Sequence, residues 1–223
     1  GSLNPFTTQQ QAELKQFWEK ARPGDKLGLL TSLYKSSAGN ANASRDMISS
    51  IAGESGAYRL SASLNNRGLQ DIAGQIITGQ DLLDKNLVKV DDNALRTYTA
   101  TYLAGITSPG KPDFQIYLES VKANYAYLVQ KSEKVADSKG SILNKTIDED
   151  LFNKAILNVT GGKFTSEGFF GSKSVVLRPH TVSEKAFREQ LESFNSRNAR
   201  TYGGSDKDFF LDLPLEQDPK NPY

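Results

Sequence analysis

Few residues in this chain can do bond-making chemistry, and they are scattered. The 223 residues include no cysteine, which removes thiolate nucleophiles, thiolate metal sites and disulfides together. His180 is the single histidine, so two histidines cannot share a metal. Beside Pro179 and just ahead of a helix start, it reads as a loop residue. Asp148-Glu149-Asp150 offers hard oxygen ligands for a cation. Three acids at a helix start are equally what the positive end of a helix dipole favours. Asp206, Asp208 and Asp212 lack the glycine and closing glutamate of a calcium loop. Gly161-Gly162 precedes strand-like residues rather than a helix, so it is not a phosphate loop. The tyrosines of the long helix below read as core rather than as a platform for sugars. One stretch stands apart. Glu54-Ser55 is followed by Ala62-Ser63 and then by Gly68-Leu69-Gln70.

That stretch resembles the signature of bacterial lytic transglycosylases of the goose-lysozyme kind. Their pattern is a Glu-Ser pair, an Ala-x-Ser element and a Gly-Leu-Met-Gln element. The resemblance implies that Glu54 is the acid and base cleaving the sugar backbone of peptidoglycan. Such a glutamate must be lifted in pKa by burial to protonate the glycosidic oxygen. Here the spacing to Gly68 is longer and Gln70 follows Leu69 with no methionine between them. The asparagine-rich motif expected downstream has only Asn124-Tyr125 and Tyr127-Leu128 to represent it. The competing reading places Glu54 exposed in a helix–helix connection.

The elements that must position these residues are mostly helical. Leu14, Phe17, Trp18 and Ala21 form an apolar stripe on a first helix from Thr8, capped by Thr7 or Thr8. Pro23-Gly24 is expected to end it, and Asp25 to cap a second helix carrying Leu27, Leu30, Leu33 and Tyr34, stopped by Gly39. Met47, Ile48 and Ile51 mark a third helix, ending near Gly53. Tyr58, Leu60 and Leu64 mark a fourth, punctuated by Asn65-Asn66. Leu69, Ile72, Ala73 and Ile76 follow, with Gly79 as the stop and one further turn from Gln80 to Asp84. Asp91-Asp92 opens a helix through Leu95, Tyr98, Tyr102 and Leu103. After Ser108-Pro109-Gly110, Pro112 begins the longest helix, striped by Phe114, Tyr117, Leu118, Val121, Tyr125 and Leu128.

A polar loop over 137–141 precedes a helix opened by Asp148, with Leu151, Phe152, Ala155, Ile156 and Val159, ended by Gly161-Gly162. Residues 163–177 then favour a β-hairpin. Thr181 and Glu184 form a capping box for a last helix with Phe187, Leu191 and Phe194. The tail after Gly204 is irregular, with Phe209-Phe210-Leu211 apolar enough to dock. The expected fold class is mainly α: an irregular multi-helix bundle or solenoid-like array with a small β-hairpin near 163–177. The expected division is a leader over 1–6, a helical domain over 7–200 and a C-terminal tail over 201–223.

Composition narrows the partners. With 27 basic and 26 acidic side chains the formal net charge is +1. The two signs are interspersed, so nucleic acid is not the expected partner. No apolar run approaches the length of a membrane span, and no signal peptide opens the chain. Gly1-Ser2 reads as a cleaved-tag scar. With Met47 the only methionine, the chain reads as a piece of a longer protein.

A second resemblance covers the stretch from Thr8 to Asn195. Its carriers are Pro23-Gly24-Asp25-Lys26 with Leu29-Leu30, then Ile77-Thr78-Gly79-Gln80-Asp81-Leu82-Leu83. Ala155-Ile156-Leu157-Asn158-Val159-Thr160-Gly161-Gly162 and Phe187-Arg188 complete them. In order, they resemble a segment of very long bacteriophage and prophage proteins, associated with the virion or with injection. Those proteins often carry a lytic transglycosylase domain elsewhere in the same chain. The resemblance implies a helical structural module, non-catalytic itself, in which Glu54 lies in a connector between helices. It implies other phage or virion proteins as partners, with self-association possible, and a location in the virion or the bacterial host cytoplasm. No catalytic residue, cofactor or metal site is expected. The alternative is the peptidoglycan lytic transglycosylase acting through Glu54.

Overall fold

The computed structural model describes residues 4–37, 40–132, 142–144, 146–167, 173–178, 180, 182, 185–189 and 192–193. The chain is mainly helical. Helices α1 (Thr8–Lys20), α2 (Pro23–Ser36), α3 (Ala41–Ala52), α4 (Gly56–Asn66) and α5 (Gln70–Asp84) follow in series. Strand β1 (Val88–Val90), helix α6 (Asp92–Tyr102) and helix α7 (Pro112–Lys131) come next. Strand β2 (Ile142–Asn144), helix α8 (Glu149–Thr160) and strands β3 (Lys163–Glu167) and β4 (Lys173–Leu177) complete the order.

The caps explain most of the boundaries. Thr7 and Gln10 form a capping box at the start of α1, each side chain meeting the other's backbone N–H. Asn40, Asp91 and Asp148 cap α3, α6 and α8 by accepting from Ala43, Ala94 and Leu151. Gly161 ends α8 in the left-handed conformation at φ 79°. The hairpin expected over 163–177 is present, with β3 antiparallel to β4 and Phe164 opposite Val176.

Several expectations need correction. Pro23 opens α2 at its first helical position rather than closing α1, and the N-cap is Arg22, not Asp25. A proline disfavours the α region for the residue before it, so Arg22 is extended at ψ 160°, which separates the two helices. Asn65 and Asn66 belong to the last turn of α4; the chain turns at Gly68, with φ 86°. Gly79 does not stop α5, which runs unbroken to Asp84. The stripe on α1 is only partly covered, since Trp18 is buried while Phe17 is 48% exposed. Strand β1 was not expected. It pairs in parallel with β2, Val88 opposite Ile142. The stop at Gly39, the loop at 137–141, the Thr181–Glu184 capping box, Leu191, Phe194 and the tail over 201–223 lie outside the described residues.

The core is organised around α7. Its buried residues run from Phe114 through Ile116, Tyr117, Leu118, Ser120 and Val121 to Ala123, Tyr125, Ala126, Leu128 and Val129, so they surround the axis instead of forming one stripe. A helix buried over most of its circumference is central. Helices α4, α5, α6 and α8 all pack on it. A solenoid element would touch only its neighbours in sequence, so the architecture is the irregular bundle. A smaller apolar cluster of Val176 and Phe187, flanked by Phe164 and Val182, sits under the hairpin.

The tightest approach is that of α5 to α7. A Cβ built on Gly79 would overlap the Ala123 carbonyl, so the missing side chain lets the two backbones meet. Gly74, in the same helix, has nothing within 4 Å of its Cβ direction. The two glycines therefore give opposite predictions. Gly79→Ala must force the helices apart, and overpacking of this kind costs about 1–3 kcal/mol. Gly74→Ala should stabilise by about 0.5–1 kcal/mol through helix propensity. Urea denaturation of both variants checks this, the expected result being midpoints displaced in opposite directions.

Candidate functional site

The residues singled out from the sequence do not converge. Glu54 lies in the short connection between α3 and α4, exposed, its carboxylate accepting from the Ser49 hydroxyl at 3.3 Å. No apolar wall encloses it. Ser55 is the N-cap of α4 and donates to Gln80 Oε1 at 3.3 Å. Ala62 is fully buried and Ser63 nearly so, both facing the core from α4. Gly68 makes the turn, Leu69 precedes α5, and Gln70 is its exposed first residue. The three parts of the Glu-Ser, Ala-x-Ser and Gly-Leu stretch are thus a cap, a buried helix face and a turn.

The other candidates are likewise separated. Asp148 caps α8, and Glu149 accepts from the Tyr98 hydroxyl at 3.0 Å. Asp206, Asp208 and Asp212 lie outside the described residues. Tyr117 and Tyr125 are fully buried, and the Tyr125 hydroxyl accepts from the Asp148 backbone N–H at 2.9 Å. They are core residues. His180 is half-buried, and burial followed by the charge of Arg67 pushes its pKa below the ordinary value. Among the described residues, no three His, Asp or Glu side chains are placed to hold one metal ion.

The structure assembles polar groups that the sequence did not point to. Lys26, nearly buried on α2, donates to Asp81 Oδ1 of α5 at 2.8 Å and lies 5.1 Å over the Trp18 ring. Lys85 takes the other Asp81 oxygen at 2.6 Å. Burial works to raise the Asp81 pKa, but hydrogen bonds and charge from the two lysines outweigh it and hold the carboxyl below its ordinary value. Beside this pair the Tyr58 hydroxyl donates to Asp84 at 2.7 Å. Burial, reinforced by that carboxylate, pushes the phenol far above its usual range. Trp18 meets Tyr58 edge-on, with ring centroids 5.1 Å apart. Glu119 of α7 accepts from the Gly56 N–H, placing a carboxylate at the N-terminus of α4.

A second group lies between α5, α7 and α8. Asn124 donates to Gln75 at 3.1 Å, and Asn158 donates to Asn124 at 3.0 Å. Each polar contact joins residues on different helices, tens of positions apart. Lys26, Asp81, Asn124 and Asn158 stand among the residues quoted for the two resemblances, none of them for these contacts.

No protein-family model matches this chain, and no curated protein or solved structure is significantly similar to it. A shallow depression at the α6–α7 connection is lined by Ile106, Thr107, Ser108, Lys111 and Asp113. Its Thr107–Asp113 hydrogen bond of 2.8 Å closes that loop. Another, beside α1, frames the exposed ring of Phe17 with Glu13, Lys20 and Asp25.

The Lys26–Asp81 pair gives a direct test. Removing one partner of a buried pair costs about 3 kcal/mol, because the other charge remains unpaired in the core. Asp81→Asn should destabilise by about that much at neutral pH. The depressed pKa means that Asp81 contributes stability above its unfolded value, near 4, and that this is lost as pH falls through the folded value. Unfolding followed from pH 7 to pH 2 should show a shallower acid limb in Asp81→Asn than in the parent.

Proposed function

We propose that this chain is a non-catalytic structural or interaction module of a bacteriophage or prophage virion-associated protein. One observation supports the non-catalytic part. The polar side chains gathered between the helices are engaged with one another in Lys26–Asp81–Lys85, Tyr58–Asp84, Glu119–Gly56 and Gln75–Asn124–Asn158. Each ties two or three helices together and fixes their register. A catalytic constellation instead needs groups left free to meet a substrate within hydrogen-bonding reach. The virion part rests on the sequence resemblance over Thr8 to Asn195. The partners on this reading are other virion proteins, or further copies of the chain.

The peptidoglycan-cleaving alternative rests on Glu54. An inverting or retaining glycosidase needs an acid shielded from water and, in most families, a second carboxylate across the scissile bond. Glu54 is exposed, with a serine hydroxyl as its hydrogen-bond partner.

Purified peptidoglycan incubated with the chain and with Glu54→Gln, and read by mass spectrometry, separates the two. The module reading expects no muropeptide release from either protein. It also expects peptides of this chain in purified phage particles from the source strain. Release by the parent that is lost in Glu54→Gln would make Glu54 the acid, and absence from the particles would remove the virion assignment.

A further inference from the structure

Helix α1 is held from one side and open on the other. Trp18 is buried, edge-on to the Tyr58 ring at 5.1 Å and with Lys26 Nζ 5.1 Å from its own ring centroid. Gln11 donates to the Ser50 carbonyl of α3 at 3.1 Å. These contacts fix how the helix is turned about its axis. They leave Phe17 outward, 48% exposed, in a shallow groove with Glu13, Gln16, Lys20, Ala21 and Asp25. A lone exposed phenylalanine is ordinary, but this one has opposite charges placed on either side of it. Glu13 lies four residues before Phe17 and Lys20 three after, so the three share one face of the helix. Glu13 accepts from Gln9 through Oε1 alone, at 3.0 Å. The Lys20 ammonium and the Asp25 carboxylate have no hydrogen-bond or ion-pair partner among the described residues.

The arrangement is self-complementary. A two-fold interface requires that residue i of one copy meet residue j of the other, and the reverse. Glu13 and Lys20 are seven residues apart, two turns or about 10 Å along the axis. Lay α1 antiparallel on a second α1, with the two-fold axis between positions 16 and 17. Glu13 then stands opposite Lys20 of the second copy, Lys20 opposite its Glu13, and the two Phe17 rings come together at the axis. A parallel pairing would instead set Glu13 against Glu13 and Lys20 against Lys20, which like-charge repulsion disfavours.

We infer that this face of α1 is the contact for a second copy of the chain, an antiparallel pair of α1 helices that covers Phe17 and closes two Glu13–Lys20 ion pairs. Burial of the aromatic ring supplies most of the affinity, and the rim charges set orientation rather than strength. A single helix of 13 residues on each side falls short of the roughly 1,600 Å² of a standard interface, so the pair is weak and forms at high local concentration. It rests on the self-association of the module reading but not on the virion assignment.

Sedimentation of the whole chain at low ionic strength, over a concentration series from about 10 μM to about 1 mM, is the test. The expected result is a reversible monomer–dimer equilibrium with a dissociation constant of about 0.1 mM. Phe17→Ala should weaken it about tenfold or more with helix content unchanged, since the ring lies outside the buried core. Glu13→Lys and Lys20→Glu should each weaken self-association, because each sets like charges opposite one another. Mixed in equal amounts, these two variants should associate again, since lysines at both positions of one chain then face glutamates at both positions of the other. A chain that stays monomeric at about 1 mM, a dimer indifferent to Phe17→Ala, or a mixture no better associated than its separate components would each overturn the assignment. Absence of the chain from phage particles would remove the virion assignment alone, and dimerisation that responds to these variants would still support the α1 contact.

Discussion

The fold depends on how closely α5 can approach α7. Two helix backbones reach van der Waals contact only where neither presents a side chain at the crossing, and here Gly79 meets the Ala123 carbonyl. Alanines at 123 and 126 and Ser120 keep the facing stretch of α7 thin as well. Gly56 does the same at the start of α4, where a Cβ would fall 2.6 Å from the Cα of Ile116. With both neighbours held this near, α7 is buried over most of its circumference, and an edge through Gln115, Glu119 and Lys122 reaches the surface. Its large side chains, Phe114, Tyr117 and Tyr125, are then fully buried. Burying such a side chain contributes about 1.5–3 kcal/mol, so the close crossings convert small residues into a deep core.

Polar contacts set the register that apolar packing leaves loose. Hydrophobic contact is non-directional, whereas Asn124 accepts and donates only where Asn158 and Gln75 stand at the correct height. Glu119 fixes α4 against α7, and Lys26 with Asp81 fixes α2 against α5. These groups would be costly if mispaired, which penalises a slipped bundle more than a correct one.

Helix periods and cap residues carried most of the secondary structure. Asn40, Asp91 and Asp148 cap helices through local hydrogen bonds that depend on only three residues of spacing. The hairpin followed from β-branched residues beyond Gly161-Gly162 in the same local way. The misreadings share one cause. Gly79 has the residue type of a helix stop, and its real role depends on Ala123, forty-four positions later. Pro23 is ambiguous between ending one helix and starting the next, and the choice lies with the extended Arg22 before it. Strand β1 needs β2, which arrives only after α7 has passed. The candidate residues show the same division. That Glu54 sits in an exposed connector could be weighed from its flanks, whereas the Lys26–Asp81 and Asn124–Asn158 contacts join helices far apart in sequence.

Native-state hydrogen exchange tests the central claim most directly. If the Gly79 crossing organises the bundle, amides of α5 and α7 on either side of it exchange only by global unfolding, with one shared free energy equal to that from denaturant. Amides of α1, whose Phe17 is 48% exposed, should open at lower free energy. Exchange of α5 or α7 through a smaller opening, while α1 remained protected, would contradict the account and place the organising contact elsewhere.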